Sequence, residues 1–486
     1  MDLFLGIDLG TTTVKVALID EDKKTFFERA KAHEAFLISS QKGTGWAADR
    51  HEQCPKKIVR TVLELLDEFD SDSLAKLKCI AISGQMHGVL LWEADPMGFD
   101  VGNGNCSPLI TWMDSRCDQR FLQKLPKWTN GKNPLKEKRI ATGYGMATLA
   151  WLKEYGKLDG KKWDSAGTIM DFLVSCLTQS KNMCISTQNA ESWGYVSGYK
   201  WTIQESSDVF PTDLLPNIVR PGTVVGHTSL PFTKLPRGIP VLVALGDLQA
   251  SLLPFLGKGE AALHIGTASQ IAFVSQEAAE EATSKVALPD SVRCDPFFDG
   301  NFLLVAPSLN GGNVFECFFR QIASWSAKLF GPPLELEQCS SPCTASSMLD
   351  DVLNSTDAQS STDIGTSLTV LPTFYGERHI PATEGGAVVK NWRMDTSIEQ
   401  FILSISRGIV ANLAQMMPPA ILEAHSVHKL KLIGRANQKA FADEAKRQFP
   451  DLQIVFGDEQ YFSAAYGAAL HAARIFMESP KQFTNK

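Results

Sequence analysis

The stretch Gly6–Lys15, GIDLGTTTVK, reads as a strand, a hydroxyl-rich turn and a second strand. Leu3, Leu5 and Ile7 alternate toward one face, and Val14, Val16 and Leu18 resume the alternation after the turn. A turn holding Gly10, Thr11, Thr12 and Thr13 can aim backbone N–H groups and three hydroxyls at one anion, while Asp8 sits close enough to hold a cation there. A nucleotide phosphate is bound by such a combination. The same residues also suit an ordinary hairpin whose threonines satisfy turn geometry.

A second stretch half a chain later, Ala262–Val274, ALHIGTASQIAFV, repeats the pattern: apolar strand, small hydroxyl-bearing turn, apolar strand. Gly10 aligns with Gly266, Thr11 with Thr267 and Thr13 with Ser269, whereas Asp8 is matched by His264. Only the first copy carries the metal-directed carboxylate. Two such hairpins suggest a duplicated, two-domain α/β architecture with nucleotide held between the halves.

At 486 residues the chain suits two to three domains, and 44% hydrophobic with 21% charged residues is ordinary for a soluble protein. The net charge of −7 argues against nucleic acid or anionic membrane as the main partner, since both select a basic surface. Met1–Leu9 is too short for a signal peptide's apolar core and contains Asp2 and Asp8, and no run approaches a membrane span, so a cytoplasmic location is expected. The ten cysteines are scattered, and the close pair Cys339 and Cys343 lacks zinc-site spacing, so reduced and mostly buried thiols are expected.

Along the chain, IAISGQMHGVLL (Ile80–Leu91) reads as two apolar strands joined by a polar loop with Gln85, Met86 and His87. That is a strand end of the kind where ligands sit, or a buried hairpin with a satisfied histidine. In LITWMDSR (Leu109–Arg116) a short apolar run is followed by Trp112, Asp114 and Arg116 on alternate positions, the last two able to meet substrate or simply each other. Helical spacing is read at Ala147–Tyr155 and Met170–Leu177, and STQNAESWG (Ser186–Gly194) as an amide-rich loop suited to a polyhydroxylated ligand or to capping its own backbone. VLVALGDLQAS near Pro240 is a core strand ending on Gly246 and Asp247, and the domain boundary is placed there, giving 1–245 and 246–486.

Further on, Gly311 and Gly312 precede a helical pattern whose N–H groups can face a nucleotide. Glu335–Ser367, rich in Ser, Thr and Asp, is expected to be a mobile insert with a surface helix. KLKLIGRAN (Lys429–Asn437) reads as strand then loop, and AAYGAALHAA (Ala464–Ala473) as a helix of small residues permitting close backbone packing.

With these residues assembled, the chain resembles the FGGY carbohydrate kinases nearly end to end, from Gly6 to Ala473. SGQMHGV (Ser83–Val89) and WMDSR (Trp112–Arg116) resemble motifs shared by pentulose kinases. ATGYGMAT (Ala141–Thr148), TQNAESWGY (Thr187–Tyr195), ALGDLQAS (Ala244–Ser251), SLNGGNV (Ser308–Val314) and GERHIP (Gly376–Pro381) are most similar to the branch that acts on sedoheptulose. Where the family's adenine-side loop carries Gly-Gly-Ala-Ser-x-Asn, this chain has Gly434, Arg435, Ala436, Asn437, Gln438 and Lys439, so weaker discrimination between ATP and GTP is expected.

The resemblance implies two actin-like (ribonuclease H-like) domains from a duplicated βββαβαβα unit with an interdomain cleft. It also implies transfer of the γ-phosphoryl group of ATP to a primary hydroxyl of a ketose, carbon seven of sedoheptulose, with Mg²⁺. Asp247 would be the base. Asp8, with Asp247 beside it, would hold the metal. Gly10, Thr11, Thr12, Thr13, Gly266 and Thr267 would bind phosphates, Gly311, Gly312, Gly434 and Asn437 the nucleotide, and Gln85, Met86, His87, Trp112 and Asp247 the sugar. Another pentulose kinase and a non-catalytic sugar or nucleotide sensor are the alternatives, and a monomer or homodimer is expected.

Overall fold

The computed structural model describes residues 1–37, 50–93, 105–130, 133–138, 140–160, 163–203, 208–229, 234–276, 286–331, 343–355, 368–380, 386–458 and 462–478, with backbone only at 129–130, 133–137 and 343–347. Cys339, Pro381 and most of the expected insert around Cys343–Asn354 lie outside them. The chain forms two compact units, Met1–Phe255 with Gln460–Lys486, and Leu256–Glu459.

In the first unit β1 (Leu3–Leu9), β2 (Thr13–Asp20) and β3 (Thr25–Ala32) form an antiparallel meander. The two-residue strand β4 (Glu52–Gln53) lies outside this sheet and pairs with Leu109–Ile110. β5 (Leu77–Gly84) runs parallel to β1, and Pro240–Leu242 and Leu245–Gly246 pair in parallel with β5. The alternation read in β1 has a purpose on both faces, because the strand is buried throughout. Leu3, Leu5, Ile7 and Leu9 enter a core with Ile58, Val62 and Leu65 of the helix Pro55–Leu66. Phe4 and Gly6 face the helix Ala464–Glu478, with the Phe4 ring tilted against that of Phe476 at 5.6 Å. A Cβ on Gly6 would lie 1.9 Å from the Ala465 carbonyl oxygen, so glycine is required for that approach.

The second unit repeats the plan. Glu260–Ile265, Ser269–Ser275 and Phe302–Ser308 form the meander, Lys429–Gly434 lies parallel beside the first of them, and Gln453–Phe456 parallel beside that. Leu263, Ile265, Ile271 and Phe273 pack there against Ile405, Ile409 and Leu413 of the helix Ile398–Met416. The duplication read from two short motifs is therefore a duplication of sheet order. The hairpins close one residue apart in register, with Leu9 opposite Val14 in the first and Ile265 opposite Ser269 in the second.

Several expectations change. The boundary falls after Phe255 instead of at 245, and residues 460–486 return to the first unit, because the small-residue helix packs on β1 and on Asp247–Leu252, where Gly467 meets the Ala250 carbonyl. Thr187–Trp193 is a helix capped by Ser186 rather than a loop. The strand before Trp112 ends at Ile110, so Trp112, Asp114 and Arg116 lie on a turn and not along one strand face. The helix Cys343–Asn354 is no mere surface helix, since Leu349 and Leu353 are buried in the second core. None of the eight cysteines whose side chains are described forms a disulfide among the described residues, but only Cys79, Cys117 and Cys176 of them are buried outright.

Candidate active site

In the first unit the meander's turn, the loop after β5 and the corner at Gly246–Asp247 carry most of the expected site. Gly10 N–H donates to the Thr13 carbonyl at 3.0 Å, which closes the turn and leaves Thr12 at its exposed tip. Asp8, the last even-numbered residue of β1, is buried, with the Ser83 hydroxyl 3.3 Å from its Oδ1. Burial pushes its carboxyl up to about 6, against the lowering pull of the Lys15 charge and of Ser83. Asp247 begins the helix Asp247–Leu252, directly after a strand that ends at Gly246. Burial first, and then the charge of Asp8, push its carboxyl up to about 7. Two buried carboxyls held above the usual carboxylate range, Asp247 in part by the charge of Asp8, are suited to a shared cation or to proton transfer near neutral pH.

The loop after β5 is held from several sides. His87 has φ 71°, an unusual conformation for a side chain of its size. Its N–H donates to Ser192 Oγ at 3.2 Å, and Nδ1 lies 2.7 Å from the Ser192 carbonyl, which can only accept, so the ring proton sits on Nδ1. The ring stacks on Tyr144 at 4.9 Å. Met86 presses on the corner before Asp247, where a Cβ on Gly246 would lie 2.6 Å from its sulfur. Gln188 and Asn189 serve this scaffold: Gln188 Oε1 accepts from Gly246 N–H at 3.2 Å, and Asn189 Nδ2 donates to the Ala244 carbonyl at 3.2 Å. Asp114 and Arg116 meet each other at 2.7 Å, and Arg116 reaches Glu52 at 2.6 Å, so the structural alternative for that pair holds. Trp112 Nε1–H donates to Thr11 Oγ1 at 3.0 Å.

In the second unit the turn Gly266–Ala268 is fastened to the Ser308–Asn313 turn. Gly312 N–H donates to the Gly266 carbonyl at 2.7 Å, Asn313 N–H to the Thr267 carbonyl at 3.1 Å and Gly311 N–H to Asn313 Oδ1 at 2.9 Å. These N–H groups are thus committed within the fold, contrary to the expectation that they face a nucleotide. The glycines are there for contact: a Cβ on Gly311 would lie 2.5 Å from the Ala268 backbone. His264, where the first hairpin has Asp8, is held neutral, burial pushing its pKa down to about 4. Gly434, at φ 64°, lies against the Ile265 carbonyl, 2.6 Å from where its Cβ would be. Arg435 pairs with Asp350 at 3.3 Å and Lys439 with Asp443 at 2.6 Å, so both extra cations have protein partners. Asn437 donates to the Gly457 carbonyl at 3.2 Å, while its buried Oδ1 has no partner among the described residues.

Sequence reasoning missed two groups. Gln53, with no exposed surface, donates to the Thr11 carbonyl at 2.6 Å, but a lone glutamine before a helix carries no sequence signal. Buried Glu377 accepts from Asn310 at 3.0 Å and from Asn412 at 2.8 Å and so ties its loop to the Ser308–Asn313 turn and to the helix Ile398–Met416. The run Gly376–Pro381 had marked the loop, though not this task. No group of three or more His, Cys, Asp or Glu residues suited to a metal occurs among the described residues, leaving the two carboxylates Asp8 and Asp247.

The model for the N-terminal domain of the FGGY family of carbohydrate kinases matches residues 3–254. The chain is 34% identical to the sedoheptulokinase of Mus musculus, over 96% of each chain, and 34% identical to that of Homo sapiens over the same shares. Similarity to the xylulose kinase of Bacillus subtilis is more distant, 24% over 63% of this chain and 60% of that one. Among solved structures the fold matches xylulose kinase from Rhodospirillum rubrum with a TM-score of 0.72 at 17% identity, covering 97% of this chain and 89% of that one. It matches gluconate kinase from Lactobacillus acidophilus with a TM-score of 0.71 at 19% identity, covering 99% and 91%.

Proposed function

We propose that this chain, which belongs to the FGGY family of carbohydrate kinases, phosphorylates sedoheptulose at carbon seven with the γ-phosphoryl group of ATP. The observation that carries the chemistry is Asp247, at a strand-to-helix corner, with a carboxyl pushed up to about 7 beside Asp8. The substrate rests on the similarity to two sedoheptulokinases along nearly the whole chain.

Phosphoryl transfer runs through a loose transition state, so the protein's work is to position reactants and neutralise charge. Asp247 accepts the proton of the attacking hydroxyl. An alcohol is far less acidic than a carboxylic acid, so the proton moves late, once bond formation has acidified it. Asp8 and Asp247 would hold Mg²⁺, and two carboxylates suit an ion that keeps much of its water. When bound, that ion neutralises phosphate charge. Thr11 and Thr12 offer hydroxyls to the phosphates, and Gln85, His87 and Trp112 orient the sugar. The unpaired Oδ1 of Asn437 is an acceptor that a purine N–H donor can satisfy.

Replacing the base while keeping its shape tests this reading. Asp247→Asn should fold and bind sugar but lose roughly 10²-fold or more in kcat, the usual scale for a positioned base. Near-parental turnover in the folded variant would remove Asp247 from the mechanism.

A further inference from the structure

The Thr11 turn is gripped through one buried amide that also touches the sugar-side loop. Gln53 Nε2 donates to the Thr11 carbonyl at 2.6 Å, and Gln85 Nε2 donates to Gln53 Oε1 at 2.9 Å. The direction of this chain is forced. A carbonyl only accepts, so Gln53 must turn its NH₂ toward Thr11 and its oxygen toward Gln85. Gln85 must then turn its NH₂ toward Gln53, and its own oxygen points away. That oxygen is buried and has no partner among the described residues, at a residue only 2% exposed. Desolvating an acceptor without a partner costs free energy, so its natural complement is an incoming O–H donor.

The rest of the neighbourhood keeps the chain stiff. Gln85 N–H donates to the Leu9 carbonyl at 2.9 Å, the residue before the turn. β4, which carries Gln53, pairs with Leu109–Ile110, and the segment after that strand brings Trp112 to the Thr11 hydroxyl at 3.0 Å. Thr11 is thus held by its carbonyl through Gln53 and by its hydroxyl through Trp112.

We propose that Gln53 is a positioning residue coupling sugar occupancy to the phosphate turn: a sugar hydroxyl donates to Gln85 Oε1, completing a one-way hydrogen-bond chain through Gln53 to the Thr11 carbonyl. Each bond in such a chain polarises the next, so a bound sugar strengthens the grip on Thr11. The turn is then set for transfer when an acceptor sugar is present, and loosely set when only water is. This rests on the kinase reading above.

The two ends of the amide can be cut separately. Gln53→Glu keeps an acceptor for Gln85 but places an oxygen against the Thr11 carbonyl, so kcat should fall about tenfold while the sugar KM stays within about threefold of parent. Gln53→Leu cuts both ends and should raise the sugar KM about tenfold as well as lower kcat, with sugar-free ATP hydrolysis growing relative to transfer. Combining Gln53→Leu with Gln85→Leu should raise the sugar KM no further than Gln85→Leu alone, because one chain is broken in both. Thermal melts establish that each variant is folded. Parental kcat in Gln53→Glu overturns the coupling, and this isosteric variant carries the test should Gln53→Leu not fold. Fully multiplicative losses in the double variant overturn it too. A parent protein that phosphorylates no sugar overturns the kinase reading, and the coupling with it, whereas an active parent with indifferent Gln53 variants overturns the coupling alone.

Discussion

Asp8 and Asp247, the proposed metal holder and base, are also where the fold gives up stability. Both carboxyls bind protons more tightly when folded, at about 6 and about 7, than in an unfolded chain. Between the unfolded and folded values the native state therefore holds more protons, and stability falls as pH rises. The stability is fully present below the unfolded value of 3.8 and is lost as pH rises through the folded values, by about pH 8. Asp247→Asn removes part of the charged form's penalty, so the metal-free variant should outlast the parent at pH 8 by on the order of 2 kcal/mol, or roughly 5 °C in melting temperature. At pH 4 the two should melt together. Melting curves at the two pH values check this, and a variant no more stable than parent at pH 8 would mean that Asp247 is not held in its protonated form by the fold.

Elements in the first unit meet at backbone distance, and glycine makes that possible. Gly6 in β1 and Gly467 in the helix Ala464–Glu478 each face a carbonyl oxygen 1.9 Å from where a Cβ would stand, at Ala465 and Ala250. Gly6→Ala should cost about 3 kcal/mol, since backbone cannot move aside as a flexible side chain can, and lower the melting temperature by roughly 5–10 °C. A Gly6→Ala protein that melts with the parent would show that the helix does not pack this closely. The run Ala464–Ala473 announced such packing in the sequence, though not its partner, because contact between residues so far apart leaves no local pattern. Legibility follows that divide. The Gly10–Thr13 and Gly266–Ser269 turns, and Gly246–Asp247, were readable because turn chemistry and apolar periodicity are local. The amides of Thr187–Trp193 look like ligand contacts in the sequence, whereas Gln188 Oε1 and Asn189 Nδ2 bond the backbone just before Asp247. Gln53 was invisible for the same reason as the helix contact, its partners Thr11 and Gln85 lying far along the chain.

At the scale of the molecule, each compact unit carries the same sheet order but a different chemistry. The first has both carboxylates and the sugar-side loop, and the second has a neutral His264 in place of Asp8. That asymmetry fits a duplicated fold in which one copy holds the groups proposed to react. The substrate reading rests on similarity to two sedoheptulokinases over 96% of the chain, and turnover tests it directly. The decisive measurement is sugar-dependent release of ADP from ATP and Mg²⁺ by the purified protein, with sedoheptulose, xylulose, ribulose and glycerol in parallel and the phosphorylated carbon located by nuclear magnetic resonance. Sedoheptulose should show kcat/KM at least about tenfold above the others, a margin of about 1.4 kcal/mol in transition-state binding, with phosphate on carbon seven. ADP release that no sugar stimulates, or a higher kcat/KM for xylulose, would contradict the account.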